Sequence, residues 1–192
     1  SQCRHAPHIV IAPYNDTWCR DFGPVTVASD DTLQLLDFQF RGWGDKYAAS
    51  LDNGINRQLS SIWHSNLCSI NFELEGGSIE TDGEGTLLTT THCLLNSKRN
   101  QDYSKTEIES FVLEQLGLER VLWLSEGALI GDDTDSHIDN LVRFCDANTL
   151  AYAVCTQPDD PHFIPLQAME QEVKALQKAD GSSYTTLGIE IP

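Results

Sequence analysis

The strongest constraint in this chain is a hairpin plan that occurs three times. Each copy runs from a polar cluster into an alternating strand, through a tight turn, and on to a Thr-Leu step that opens a second strand. The first copy is Arg20-Asp21-Phe22-Gly23-Pro24-Val25-Thr26-Val27, turning at Ser29-Asp30-Asp31 into Thr32-Leu33. The second is Glu75-Gly76-Gly77-Ser78-Ile79-Glu80, turning at Asp82-Gly83-Glu84-Gly85 into Thr86-Leu87. The third runs from His137 to Phe144 and turns at Asp146-Ala147-Asn148 into Thr149-Leu150. Alternating runs around Asp, Gly and Asn turns mark β-hairpins. The threonines of the three steps stand 54 and 63 residues apart, and the charged residues keep register with them. Asp21 and Glu75 each precede their threonine by 11 positions, and His137 and Asp139 precede Thr149 by 12 and 10. A repeat of about 60 residues predicts a radial or stacked architecture in which equivalent strand ends meet in one place.

Helices fill the gaps between hairpins. Ser104-Lys105-Thr106-Glu107 is a capping box ahead of Ile108, Phe111, Val112 and Leu116, with Gly117 as the stop. Pro165 to Lys178 reads as a second helix, with Met169, Val173 and Leu176 on one stripe, and Ile55 to His64 as a third. A further strand is expected at Arg120-Val121-Leu122-Trp123-Leu124. Each unit is therefore a hairpin, a helix and another strand, which places the chain in the α/β class with mixed sheets. No clear linker divides it.

Composition narrows the partners. A formal charge of −17 over 192 residues, with pI near 4.4, repels nucleic acid and acidic membranes and attracts cations, small ones included. Six cysteines without a C-x-x-C pair read as reduced, mostly buried thiols rather than a disulfide framework or zinc site. No apolar run is long enough to span a membrane, and no signal segment is evident. The chain opens at Ser1 rather than Met, in keeping with a start farther upstream, and cytoplasm is the expected compartment. Asn15-Asp16-Thr17 fits the glycosylation pattern but is accidental in that compartment.

The third polar cluster carries the clearest chemistry. In Asp135-Ser136-His137-Ile138-Asp139 the histidine and the second carboxylate are two residues apart, so on a strand they would share a face. A histidine can then move protons while the neighbouring carboxylate holds a cation. Asp132, Asp133, Asp135, His137 and Asp139 also resemble a calcium loop at its start, without that motif's Gly and terminal Glu. No metal is expected.

Four segments occur in order: Asn15 to Pro24, Glu75 to Thr86, Cys93-Leu94-Leu95-Asn96 with Arg99-Asn100, and the His137 segment. Together they closely resemble agmatine deiminases of the bacterial-type peptidylarginine deiminase family. The resemblance implies a five-bladed propeller of ββαβ units around a central site, with about three blades present here. It implies hydrolysis of a guanidinium to a ureido group and ammonia, with no cofactor. A guanidinium is a planar charged fork that suits bidentate carboxylates, and by resemblance Asp21 and Asp139 are those partners. His137 would be the general acid and base. Trp18 would wall the site and stack on the cation. Glu75 and Trp43 would belong to the pocket without an assigned step, and Trp43 reads equally well as core.

The resemblance also shows what departs. The family's nucleophile is a cysteine near the end of the chain after a glycine-rich stretch, and no cysteine here has that context. Cys19, Cys93, Cys145 and Cys155 read as structural thiols. Residues 1–192 are then expected to form an incomplete deiminase domain, lacking amino-terminal and carboxy-terminal parts and inactive alone. Ser136 stands where the family usually has Gly, a position sensitive to positive φ. The leading reading is agmatine deiminase, on the route to putrescine. The alternatives are a peptidylarginine deiminase of the same family and a non-catalytic cation-binding module. Open sheet edges invite self-association.

Overall fold

The structure, a computed structural model, describes residues 9–29, 32–63 and 66–191. Cys3, the Asp30-Asp31 turn and His64 lie outside the described residues. Three sheets of three strands follow one another along the chain. β1 (Val25–Ser29) and β2 (Thr32–Gln39) pair antiparallel, the helix Asp52–Trp63 crosses back, and β3 (Asn66–Glu73) joins β2 in parallel. β4 (Ile79–Thr81), β5 (Thr86–Thr90), the helix Lys105–Leu116 and β6 (Arg120–Leu124) repeat that order. β7 (Val142–Asp146), β8 (Thr149–Val154), the helix Phe163–Ala175 and β9 (Thr185–Glu190) repeat it again. Antiparallel neighbours need only a tight turn, whereas a parallel partner needs a long crossover, which each helix supplies. The chain is mixed α/β, and its unit is ββαβ.

Thr32, Thr86 and Thr149 each begin the central strand of a sheet, so the Thr-Leu register is a register of structure. The middle helix starts after its Ser104 cap with both halves of the capping box formed, and ends on Gly117 at φ 67°. The other two helices begin earlier than their sequence pattern indicates, at Asp52 and at Phe163 rather than Ile55 and Pro165, and the last stops at Ala175. Pro165 sits at the third helical position, where a missing N–H breaks no helical hydrogen bond.

The middle unit is wedged between the other two. All of β5 is buried, and side chains alternate between its faces. Leu87 joins Leu36, Phe72, Leu94, Ile108 and Val112 in one core. Leu88 joins Leu124, Ile138, Leu141, Leu150 and Met169 in the other. A strand covered on both faces reads as a continuous apolar run rather than an alternating one.

The cysteines correct the sequence reading. Among the described ones only Cys93 is buried; Cys19 and Cys145 are exposed, Cys68 and Cys155 intermediate, and all five are free thiols. Cys19 opens a helical turn rather than a strand. Cys145 sits at a break in register between Phe144 and Asp146, and such a bulge re-aims the strand's side chains.

Candidate active site

A short helical turn precedes the first strand of each unit: Cys19–Phe22 before β1, Gly76–Ser78 before β4, and Ile138–Asn140 before β7. The first and third turns pack against the middle one, so the equivalent strand starts converge. The His137 segment differs from its sequence reading. It is not strand: Ile138–Asn140 is a 3-10 turn, and β7 begins only at Val142. The buried residues Ile138, Leu141 and Val142 recur at the three-to-four spacing of a helical turn.

His137 and Asp139 still reach the same place, because the meeting point is Gly77. A Cβ added to Gly77 would lie 2.5 Å from His137 Nδ1, 2.7 Å from Asp21 Oδ1 and 2.9 Å from Asp139 Oδ2. No side chain fits there, so the middle turn supplies the floor on which three functional groups meet. Gly77 N–H donates to Asp21 Oδ1 at 2.9 Å, and Trp43 Nε1–H donates to Asp21 Oδ2 at 2.9 Å. Both carboxylate oxygens of Asp21 are thereby aimed. Burial raises the Asp139 carboxyl above its usual range; His137 opposes the rise and the Asp21 charge adds to it. Two acids beside one another and partly buried favour a cation between them.

Glu75 lies behind the histidine and is fully buried. Its Oε2 meets His137 Nε2 at 3.0 Å, Arg99 Nε at 2.8 Å and Cys93 Sγ at 3.6 Å. Burial pushes the Glu75 carboxyl up, but the His137 hydrogen bond and the Arg99 guanidinium outweigh it and hold the group below its usual range. A carboxylate only accepts, so His137 Nε2 donates to Glu75, while Nδ1 faces Asp21 Oδ1 at 3.5 Å. That is the arrangement of a general base oriented by a buried carboxylate. Burial and the Glu75 charge push the Cys93 thiol well above its usual range, so it is a neutral donor.

The loop ahead of His137 is conformationally demanding. Asp135 and Ser136 have φ of 63° and 65°. Left-handed backbone costs an L-residue roughly 1–2 kcal/mol, so the Ser136 position is one where glycine would be at ease. Asp132 holds the loop by accepting from the N–H groups of Thr134 and Ser136, and Thr90 Oγ1 donates to the Ser136 carbonyl at 2.7 Å. Asp133 accepts from Tyr47, and Asp135 from Lys46 and Arg99. These acids serve loop structure and do not converge as calcium ligands. Among the described residues, the ligand atoms that do converge, within 4.8 Å, are those of Glu75, Cys93 and His137. Arg99 already places a cation on the Glu75 oxygen they share.

A cleft of about 490 Å³ opens over the three groups, lined by Trp18, Asp21, Trp43, His137 and Asp139 with Asp16, Tyr47, Asp132 and Asp133. Trp18 is 65% exposed and forms its wall. Trp43 is both core and site: it packs edge-on to Phe40 and Tyr47 while its ring nitrogen holds Asp21. It sits at φ 57°, a conformation with no sequence signal in a tryptophan. In the sequence Arg99 stands only within a motif, and Cys93 within that motif as a structural thiol. Nothing local shows that they pack behind Glu75, because that contact joins segments 18 and 24 residues apart.

The sequence profile of Porphyromonas-type peptidyl-arginine deiminase matches residues 1–192. The agmatine deiminase of Stutzerimonas stutzeri is 36% identical over 185 residues, covering 93% of this chain and 50% of its own length. A cysteine-to-serine variant of C. jejuni agmatine deiminase, solved with substrate bound, superposes with a TM-score of 0.87 at 43% identity, over 94% of this chain and 53% of that one. Agmatine deiminase of Enterococcus faecalis superposes with a TM-score of 0.88 at 29% identity, over 94% and 51%. The chain spans about half the length of the curated relatives it matches. Three ββαβ units, an aimed Asp21 beside Asp139, a carboxylate-held histidine and a profile match over every residue agree: the chain belongs to the Porphyromonas-type peptidyl-arginine deiminase family.

Proposed function

We propose that the protein to which this chain belongs is an agmatine deiminase, which hydrolyses the guanidinium of agmatine to N-carbamoylputrescine and ammonia on the way to putrescine. The observation that carries this reading is the meeting of Asp21, His137 and Asp139 above Gly77. Asp21 and Asp139 hold the planar cation, and Trp18 covers it. The cysteine implied by the family resemblance gives its proton to His137 as its sulfur bonds to the guanidinium carbon; one C–N bond breaks as His137 passes that proton to the departing nitrogen, which leaves as ammonia, and water then supplies the new C=O oxygen as it displaces the sulfur. His137 then removes a proton from the attacking water. Glu75 keeps the imidazole turned for both transfers.

The lining of the cleft supports agmatine over a peptide. Besides Asp21 and Asp139 it includes Asp16, Asp132 and Asp133 against a single cation, Arg20, with the rings of Trp18 and Tyr47. Such a surplus of acids suits the second positive charge of a diamine derivative. The nucleophile, by the family resemblance, is a cysteine outside these 192 residues. Among the described residues no cysteine lines the cleft, and Cys93 lies on the far side of Glu75 as a neutral thiol. We therefore read residues 1–192 as an incomplete deiminase domain, inactive alone, whose three units continue around a five-bladed propeller. Cytoplasmic residence is proposed on the cysteine usage. Among the described residues no helix is long and apolar enough to cross a membrane. Leu187 and Ile189 on β9 are exposed and support self-association, which a compact monomer in sedimentation would overturn.

The test is ammonia release from agmatine and from a peptidyl-arginine substrate, by this chain and by the protein extended to its natural carboxyl terminus. Release from agmatine by the extended protein alone supports the reading. Release from the peptide but not agmatine makes it a peptidylarginine deiminase. Equal release by the short chain would assign the nucleophile to one of its own cysteines.

A further inference from the structure

Arg99 is a fully charged side chain with only 1% of its surface exposed, and the reaction outlined above gives it no step. Its three nitrogens reach three acceptors on two separate segments. Nε donates to Glu75 Oε2 at 2.8 Å, Nη1 to Asp135 Oδ2 at 2.7 Å, and Nη2 to the Thr134 carbonyl at 3.1 Å. The first acceptor is the oxygen that also receives His137 Nε2–H. The other two belong to the left-handed loop that delivers His137 to the site. One planar group therefore fixes the partner of the imidazole and the backbone that carries it.

We propose that Arg99 is a positioning residue for His137. It ties Glu75 to the Thr134–Asp135 loop and thereby keeps the ring as the Nε2–H tautomer, with the Nδ1 lone pair turned to the cleft. The inference rests on the reading of His137 as the acid and base of the site. Its physical basis is the position of Glu75. Burial opposes the charge on that carboxylate, and Arg99 is one of the two groups that offset burial. Removing the guanidinium takes away the donor on the Glu75 Oε2 that also receives His137 Nε2–H and so favours the protonated acid, which donates to His137 Nε2 instead of accepting from it. The ring then carries its proton on Nδ1, where a base needs a lone pair. Lysine cannot substitute fully, because one ammonium at the end of a flexible stem does not span three acceptors in a fixed plane.

The experiment is long-range nitrogen-15 NMR of the imidazoles in this chain at alkaline pH, with His137 assigned by loss of its signals in His137→Gln. Wild type is expected to show the Nε2–H tautomer. Arg99→Gln is expected to lower the Nε2–H to Nδ1–H ratio at least about tenfold, the factor carried by one charge-assisted hydrogen bond. Arg99→Lys should fall between the two. A purely structural role would lower the melting temperature of both variants and leave the ratio unchanged, which overturns the proposal. Should Arg99→Gln not fold, an unchanged ratio in Arg99→Lys overturns it equally. Agmatine binding to the same wild-type sample separates this inference from the reading beneath it. A tautomer change without agmatine binding keeps the role of Arg99 and removes the deiminase. Binding with an unchanged tautomer does the reverse.

Discussion

Gly77 shows how much one residue can decide. Its backbone N–H aims Asp21, and its missing side chain is the space in which Asp21, His137 and Asp139 meet. Gly77→Ala is therefore expected to weaken agmatine binding at least about tenfold, since the methyl displaces Asp21 and Asp139, the proposed holders of the cation, at an overpacking cost of about 1–3 kcal/mol in stability. Calorimetric titration checks this, and unchanged affinity would place the cation elsewhere. At this scale register makes part of the sequence legible. Three copies of one plan align Asp21, Glu75, His137 and Asp139 with Thr32, Thr86 and Thr149, while their roles, and the expected places of Trp18 and Trp43, come from the family resemblance. Arg99 was not found, because its role lies in contacts to Glu75 and to the Thr134–Asp135 loop that no local pattern encodes.

Elements with local signals were legible almost to the residue. The helix Lys105–Leu116 begins after a complete capping box and ends on a left-handed glycine. Ser104→Ala is expected to destabilise the chain by about 1 kcal/mol, read from the midpoint of urea unfolding. An unchanged midpoint would mean that this helix is held by packing alone. Strand β6 was placed correctly from its apolar run, whereas β3 and β9 were expected in kind but not located. Exposed residues fill much of β9, whose alternation is correspondingly weak. The His137 segment failed differently. A short apolar run fits both the strand and the helical-turn period, and tertiary packing of Ile138 and Leu141 against β5 chose the turn. His137 and Asp139 still meet beside Gly77, because turn and strand both leave them at the start of a unit.

At the scale of the whole molecule, acid groups are crowded in the interior, and stability registers this at Glu73, the last residue of β3. The Glu73 carboxyl is pushed up to about 7, first by burial and then by the neighbouring Glu75 charge, against the pull of Arg99 and Arg41. Its folded value lies above its ordinary one, so the folded state holds the proton more tightly than the unfolded chain. Stability contributed by the neutral acid is present at low pH and is lost as pH rises through about 7. Glu73→Gln keeps the shape without the proton. It should be more stable than wild type at pH 8 by on the order of 1–3 kcal/mol and equal to it near pH 4, as measured by denaturant unfolding; parallel profiles would contradict the assignment. The same crowding of acids, in a chain with a net charge of −17, supports the proposed cation site. The most direct test is the agmatine affinity of this chain and of its Asp139→Ala variant by isothermal titration calorimetry. The account predicts one site per chain and a loss of about tenfold or more in the variant, the scale of a charged hydrogen bond. Equal affinities in the two proteins would contradict it, leaving Asp139 a structural acid and the cleft without its cation.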